Sequence, residues 1–229
     1  MRLHLPALPL LAAAALIAQP AAAETAHDEQ AWVNLTAMGS VSGDLVYFAE
    51  LQPRIGDGVS RVDQLLLRGA VGWKLSPKVT LYQGYAHVVV PIDGGRDVNE
   101  ERSFQQLNLA VAKPWRGELS SRTRLEQRWR NDGNDMGWRL REMIRYEKPL
   151  KAQSDAVNAL VYAEAFVALN DTDWGARSGF DQLRTFAGAE VGLPGASTAE
   201  IGYLNQVIDQ TRGRTRMNHV AAVSVFFRP

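Results

Sequence analysis

Along most of the chain, apolar and polar residues alternate one for one. Over residues 64–75, one set reads Leu65, Leu67, Val71, Trp73 and Leu75, and the other Gln64, Leu66, Arg68, Ala70 and Lys74. Residues 45–55 set Leu45, Tyr47, Ala49, Leu51 and Ile55 against Phe48, Glu50, Gln52 and Arg54. Residues 156–169 and 182–191 repeat the pattern, with Glu164, Arg184 and Glu190 on the polar side. A period of two places alternate side chains on opposite faces of a strand, so these segments are predicted strands with one apolar and one wet face. The clearest case is residues 122–130, where Arg122, Arg124, Glu126, Arg128 and Arg130 occupy every second position. A helix would spread these charges around its circumference, whereas a strand lines them along one side. Arg139, Arg141, Arg145 and Glu147 continue the series beyond the next turn.

Turn-forming residues divide the chain into hairpins. Short connections are predicted at 76–78, 113–117, 149–155 and 193–197, and longer polar ones at 91–102, 131–137, 170–179 and 209–216. Between them lie ten predicted strands, at about 45–55, 61–75, 79–90, 102–113, 118–130, 138–148, 156–169, 180–192, 198–208 and 216–227. An even number suits a single-chain bacterial barrel with short periplasmic turns and longer external loops. Residues 31–39 (with Trp32, Val33, Asn34, Leu35 and Thr36) also read as a strand and would break that parity. The expectation is therefore ten strands preceded by an irregular N-terminal segment, with twelve strands as the alternative.

Residues 1–23 carry Arg2, an apolar run at 10–18 and small residues at 21–23, the pattern of a secretory signal peptide. The predicted organisation is a signal peptide at 1–23, an N-terminal segment with one short strand at 24–44, and a β-barrel at 45–229. Without the signal peptide the net charge is −1, which disfavours nucleic acid as a partner. Cysteine is absent, which excludes disulfides, a thiolate metal site and a cysteine nucleophile. After residue 23 no apolar run reaches about 18 residues, so only strands could cross a bilayer. The fold predicted is all-β: a single antiparallel up-and-down transmembrane β-barrel in the outer membrane. Its partners would be the lipid bilayer, the barrel-assembly machinery during biogenesis and a small solute. Trp73, Tyr82, Trp115, Tyr146 and Tyr203 lie near proposed short turns, and Trp129, Trp138 and Trp174 near the long loops, as aromatic girdles would.

The segments Leu81-Tyr82-Gln83-Gly84-Tyr85-Ala86-His87 and Arg122-Thr123-Arg124-Leu125-Glu126-Gln127-Arg128 carry a family resemblance. Trp32, residues 100–106, Arg139-Leu140-Arg141, Glu164-Ala165-Phe166, Gln182-Leu183-Arg184 and Glu200-Ile201-Gly202-Tyr203-Leu204 add to it. Together they resemble the uncharacterised bacterial "domain of unknown function 2490" family of predicted outer-membrane β-barrels. The resemblance implies a barrel and an outer-membrane location, and supplies no activity or catalytic residue.

The candidate site is the charge ladder itself. Turned inward, it would place Arg68, Arg122, Arg124, Glu126, Arg128, Arg139, Arg141, Arg145, Glu164, Arg184, Glu190 and Glu200 in the lumen, with Glu50 and Glu147 as further counter-charges. One reading is structural, because a charge in a narrow lumen must be paired. The other is an anion-attracting path built from arginine rings. No cofactor is called for. No G-x-S-x-G elbow and no paired-histidine metal spacing occurs, and Asp171-Thr172-Asp173 and residues 131–135 read as solvated loops. Only His87 and His219 fall in predicted strands. His87 could meet Ser103 or Glu101 across its hairpin, which leaves a lipid-modifying enzyme as one alternative to a non-enzymatic barrel. A soluble periplasmic ligand-binding barrel is the other.

Overall fold

The computed structural model describes residues 25–151, 154–210 and 213–229, with no side chains for 154–156. The predicted signal peptide lies outside them. Eleven strands close into one barrel. They are β1 (Thr25–Ser42), β2 (Leu45–Gly56), β3 (Arg61–Ser76), β4 (Val79–Val90), β5 (Val98–Ala112) and β6 (Glu118–Arg130). Then follow β7 (Gly137–Lys151), β8 (Ser154–Ala168), β9 (Gly179–Gly192), β10 (Thr198–Gln210) and β11 (Arg214–Phe227). Each strand pairs antiparallel with its neighbours in sequence, and β1 closes on β11 in parallel, from Thr25 opposite Thr215 to Ala37 opposite Phe227.

The expected ten strands, and the alternative of twelve, are corrected to eleven. β1 is an 18-residue strand of the wall in place of an irregular segment. An odd number of up-and-down strands leaves the first and last running the same way, so their seam must be parallel. The seam leaves no free edge. The predicted long connection at 209–216 is also corrected: β10 runs to Gln210 and β11 starts at Arg214. One end of the barrel carries connections of two to five residues, among them 43–44, 77–78, 113–117 and 193–197. The other end carries the three longest connections, 91–97, 131–136 and 169–178, beside short ones after β2 and β10.

Period-two alternation sends one residue of each pair inward. Facing in are even positions in β1, β2, β4–β6, β8, β10 and β11, odd positions in β7, and even positions of β9 from Gln182 on. A register shift opposite Phe166 and Val167 turns Asp181 inward and Phe180 outward. In β3 a one-residue register shift, with Arg54 opposite Gln64 but Ile55 opposite Val62, leaves Asp63 unpaired. This bulge brings Asp63 to 3.3 Å from Arg61 and 3.8 Å from Arg216. Two apolar clusters fill part of the interior: Val46, Phe48, Ala70, Tyr82, Ala86 and Phe104 on β2–β5, and Trp32, Leu160, Phe186, Leu204 and Val220 on the opposite wall. Tyr82 is thus a lumen residue packed edge-on against Phe48, and does not belong to an outer girdle. Gly84 lets the Phe104 ring lie flat on β4, since a Cβ there would come within 2.6 Å of Phe104 Cε1. Outside, Leu35, Leu51, Leu67, Val71, Trp73, Val161, Ile201 and Val223 are exposed.

Candidate functional site

Every residue of the predicted ladder faces the lumen. On the β5–β8 wall most arginines are matched to carboxylates. Arg124 instead donates to the Gln106 amide oxygen (2.8 Å), stacks over Phe104, and leaves its Nη1 unbonded 3.7 Å from Glu126. Glu126, 1% exposed, accepts hydrogen bonds from Arg139 Nε (2.9 Å) and Nη2 (2.6 Å) and from Arg141 Nη1 (2.7 Å). Glu164 accepts from Arg141 Nη2 (2.7 Å) and Arg122 Nη2 (2.9 Å). Glu100 accepts from Arg102 Nε (2.7 Å) and Arg128 Nε (2.5 Å). Towards the short-turn end, Arg145 reaches Glu147 (2.7 Å), Glu190 (3.1 Å) and Glu200 (2.5 Å). Arg68 Nη1 lies 2.7 Å from Glu50 Oε1, an ion pair whose angle falls short of a hydrogen bond. Arginine suits such pairs because its planar fork meets a carboxylate with two N–H groups and never loses its charge.

The wall formed by β9–β11, β1 and β2 is different: it is built from amides. Trp32 Nε1 donates to Gln30 Oε1 (2.7 Å), Gln30 to Asp28 (2.6 Å), and Arg216 to Asp28 (2.8 Å) and Asn218 (3.0 Å). Asn218 donates to Gln206 (2.9 Å), which donates to Gln182. Besides Arg216 with its Asp28 carboxylate, Arg54 and Arg184 stand on this wall. Arg54 donates only to amide oxygens, of Gln52 (2.8 Å) and Gln64 (2.7 Å), and its guanidinium carbon lies 4.0 Å from the centroid of the Trp32 ring. Arg184, 9% exposed, makes one long bond to Gln182 (3.4 Å) and comes no nearer than 4.0 Å to Glu164. Its Nε has no hydrogen-bond partner, and it too stacks over Trp32, at 5.0 Å.

Three cavities follow the barrel axis. One of about 640 Å³ opens at the long-loop end and one of about 500 Å³ at the short-turn end, and they share no lining residue. Between them lies a cavity of about 150 Å³, lined by residues of both, including Arg54, Arg68, Arg184, Glu50 and Glu200. The lumen therefore narrows to a waist crossed by charged side chains.

The outer face of β4–β7 interrupts the apolar surface. Glu101 accepts from the Tyr85 hydroxyl and contacts His87 Nδ1 at 2.7 Å. Glu142 accepts from Ser121 and Thr123, each at 2.5 Å. Ser103 pairs with Gln83, not His87, so the histidine has a carboxylate beside it and no serine nucleophile. His219, also facing out, lies between His27 (3.0 Å) and Tyr203 (2.6 Å). At the long-loop end, residues 131–136 and 169–178 are locked together. The Asp173 carboxylate accepts from the amides of Asn134 (2.8 Å) and Asp135 (3.2 Å), which hold its pKa below the ordinary value. Trp174 donates to the Asp135 carbonyl (2.8 Å) and lies against Arg128 and Arg130. Among the described residues no group of three or more His, Asp or Glu side chains could hold a metal.

Sequence reasoning missed Arg54, Arg102, Glu100 and the amide ladder as parts of the site. Their signal was present in the alternation, but Gln and Asn carry no charge to mark it. The molecule is a closed β-barrel with an arginine–glutamate network inside and much of its apolar surface outside. The chain belongs to the family described as a protein of unknown function (DUF2490), whose model matches residues 29–218. An uncharacterised protein of Methylorubrum extorquens is 48% identical over 224 residues, covering 96% of either chain. No solved structure matches the chain significantly.

Proposed function

We propose that the chain is a non-enzymatic outer-membrane β-barrel whose lumen is shut at its waist by paired charges. The observation that carries this reading is the inversion of polarity: Glu126 is 1% exposed and Val71 58%. A soluble protein buries its apolar side chains and leaves its charges in water. A bilayer rewards the opposite arrangement, provided every backbone group is paired, as closure ensures. Strands of 12–18 residues exceed the 9–11 or so needed to cross. Exposed Trp73, Trp115 and Phe227 at one end and Trp129 and Phe180 near the other suit the two interfaces. The implied partners are membrane lipid and, during biogenesis, the barrel-assembly machinery. A small solute would enter either vestibule without passing the waist.

The test is envelope fractionation followed by gel electrophoresis with and without boiling. Recovery in the outer membrane with a heat-dependent mobility shift supports the reading. A second reading, a soluble periplasmic barrel, draws on Glu101 and Glu142, which face outward where hydrocarbon would lie. Recovery in the soluble fraction without detergent would establish that reading and end the first. The lipid-modifying alternative rests on the contact between His87 and Glu101 alone, and unchanged envelope lipid after deletion of the protein would remove it.

A further inference from the structure

Arg54 and Arg184, on the amide wall, have no intramolecular carboxylate within hydrogen-bonding distance; Glu164 comes no nearer than 4.0 Å to Arg184. Among the described residues no carboxylate pairs with Arg54, whose hydrogen bonds all go to Gln52 and Gln64. The charges acting most strongly on it are those of Arg184, Arg102, Arg68 and Arg141, all of its own sign. Arg184 leaves its Nε unbonded, and Glu164, its nearest carboxylate, is already engaged by Arg141 and Arg122. Both guanidinium groups face the Trp32 ring and both line the waist cavity of about 150 Å³. That cavity holds six arginines against three glutamates, and the long-loop vestibule leading to it ten arginines against four carboxylates.

Cations of one sign that outnumber the carboxylates around them in a narrow lumen repel one another and are less well solvated than in open water. A bound anion removes both costs, and a guanidinium fork with free N–H groups matches the oxygens of a tetrahedral oxyanion. We propose that Arg54 and Arg184, beside Trp32, form a binding site for a small phosphate-class oxyanion that enters from the long-loop vestibule. Gln52, Gln64 and Gln182, already bonded to these arginines, position the two forks. The cluster stands on lumen geometry alone, so a soluble barrel would carry the same site. Failure of the membrane reading and failure of this one are therefore separate results.

The test uses the full purified chain with inorganic phosphate as the probe. Its melting temperature is followed as phosphate rises, against sodium chloride at equal ionic strength. A saturable rise with phosphate that chloride does not reproduce, lost in the Arg54→Gln/Arg184→Gln double variant, is the expected result. A phosphate effect no larger than that of chloride, or one that survives in the double variant, overturns the site. Should the variant not fold, the wild-type chain decides the matter by phosphorus NMR. The phosphate line should broaden with protein and sharpen again when excess sulfate competes, and a line unchanged by the protein rejects the proposal.

Discussion

The two walls of the lumen solve the same problem differently. On β5–β8 each buried glutamate serves two or more arginines, and Glu126 alone accepts three N–H groups. On β9–β11, β1 and β2, Arg54 and Arg184 lean on an indole ring and on amide oxygens. An amide can accept a hydrogen bond but cannot cancel a charge. The first wall is thus largely paired, Arg124 beside Gln106 excepted, and removing one of its glutamates leaves two arginines without the carboxylate they share. The second is incomplete and gains from a charge brought in from outside. A lumen rich in arginine can therefore be a strut on one side and a receptor on the other.

Breaking the paired wall should have the largest effect. Glu164→Gln leaves Arg141 and Arg122 without their shared carboxylate, and should cost about 3–5 kcal/mol, read as a lower denaturation midpoint in detergent. Completing the incomplete wall should give a smaller change of opposite sign. Gln52→Glu places a carboxylate where Arg54 now meets an amide 2.8 Å away, and should stabilise the chain by about 1–2 kcal/mol. The same variant should weaken the phosphate-dependent rise in melting temperature, since the internal carboxylate competes for the fork.

The smallest effect belongs outside both walls. Asp173→Asn weakens the lock between the two long loops, and limited proteolysis should cut faster within residues 131–136 while the global melting point stays put. The pH dependence of that lock has a definite sign. Two amide N–H groups hold the Asp173 carboxyl below its ordinary value of 3.8, so the carboxylate favours the locked loops above that pH. Protection from cleavage should be complete near neutrality and fall only as the pH drops below about 3.8.

Much of the charged lumen is legible in the chain because arginine and glutamate fall on alternate positions, which only a strand brings to one side. The pairing inside it is not legible. Arg139 meets Glu126 because the β6–β7 register sets them opposite, and Arg145 meets Glu200 across the lumen from 55 residues away. Strand count fails for a physical reason as well. β1 alternates Asp28, Gln30, Trp32, Asn34 and Thr36 inward, a polar series without the charge periodicity of β6. The parity rule then argues against a strand that a parallel seam accommodates without strain on the topology. The amide wall escapes notice for the same cause, since neutral ladders look like ordinary polar faces until register joins Gln206 to Asn218 and Gln182.

The most direct test makes one chemical change on each wall. Arg139→Gln and Arg54→Gln remove the same charge from matched positions in the lumen, and their unfolding free energies can be measured in the same phosphate-free detergent buffer. The difference between the walls predicts a loss of about 3 kcal/mol or more for Arg139→Gln, which strips Glu126 of two of its hydrogen bonds. For Arg54→Gln it predicts a change within about 1 kcal/mol of zero, because the lost amide bonds are offset by relief from like charges. Equal losses for the two variants would contradict the distinction and show that Arg54 is as much a strut as Arg139.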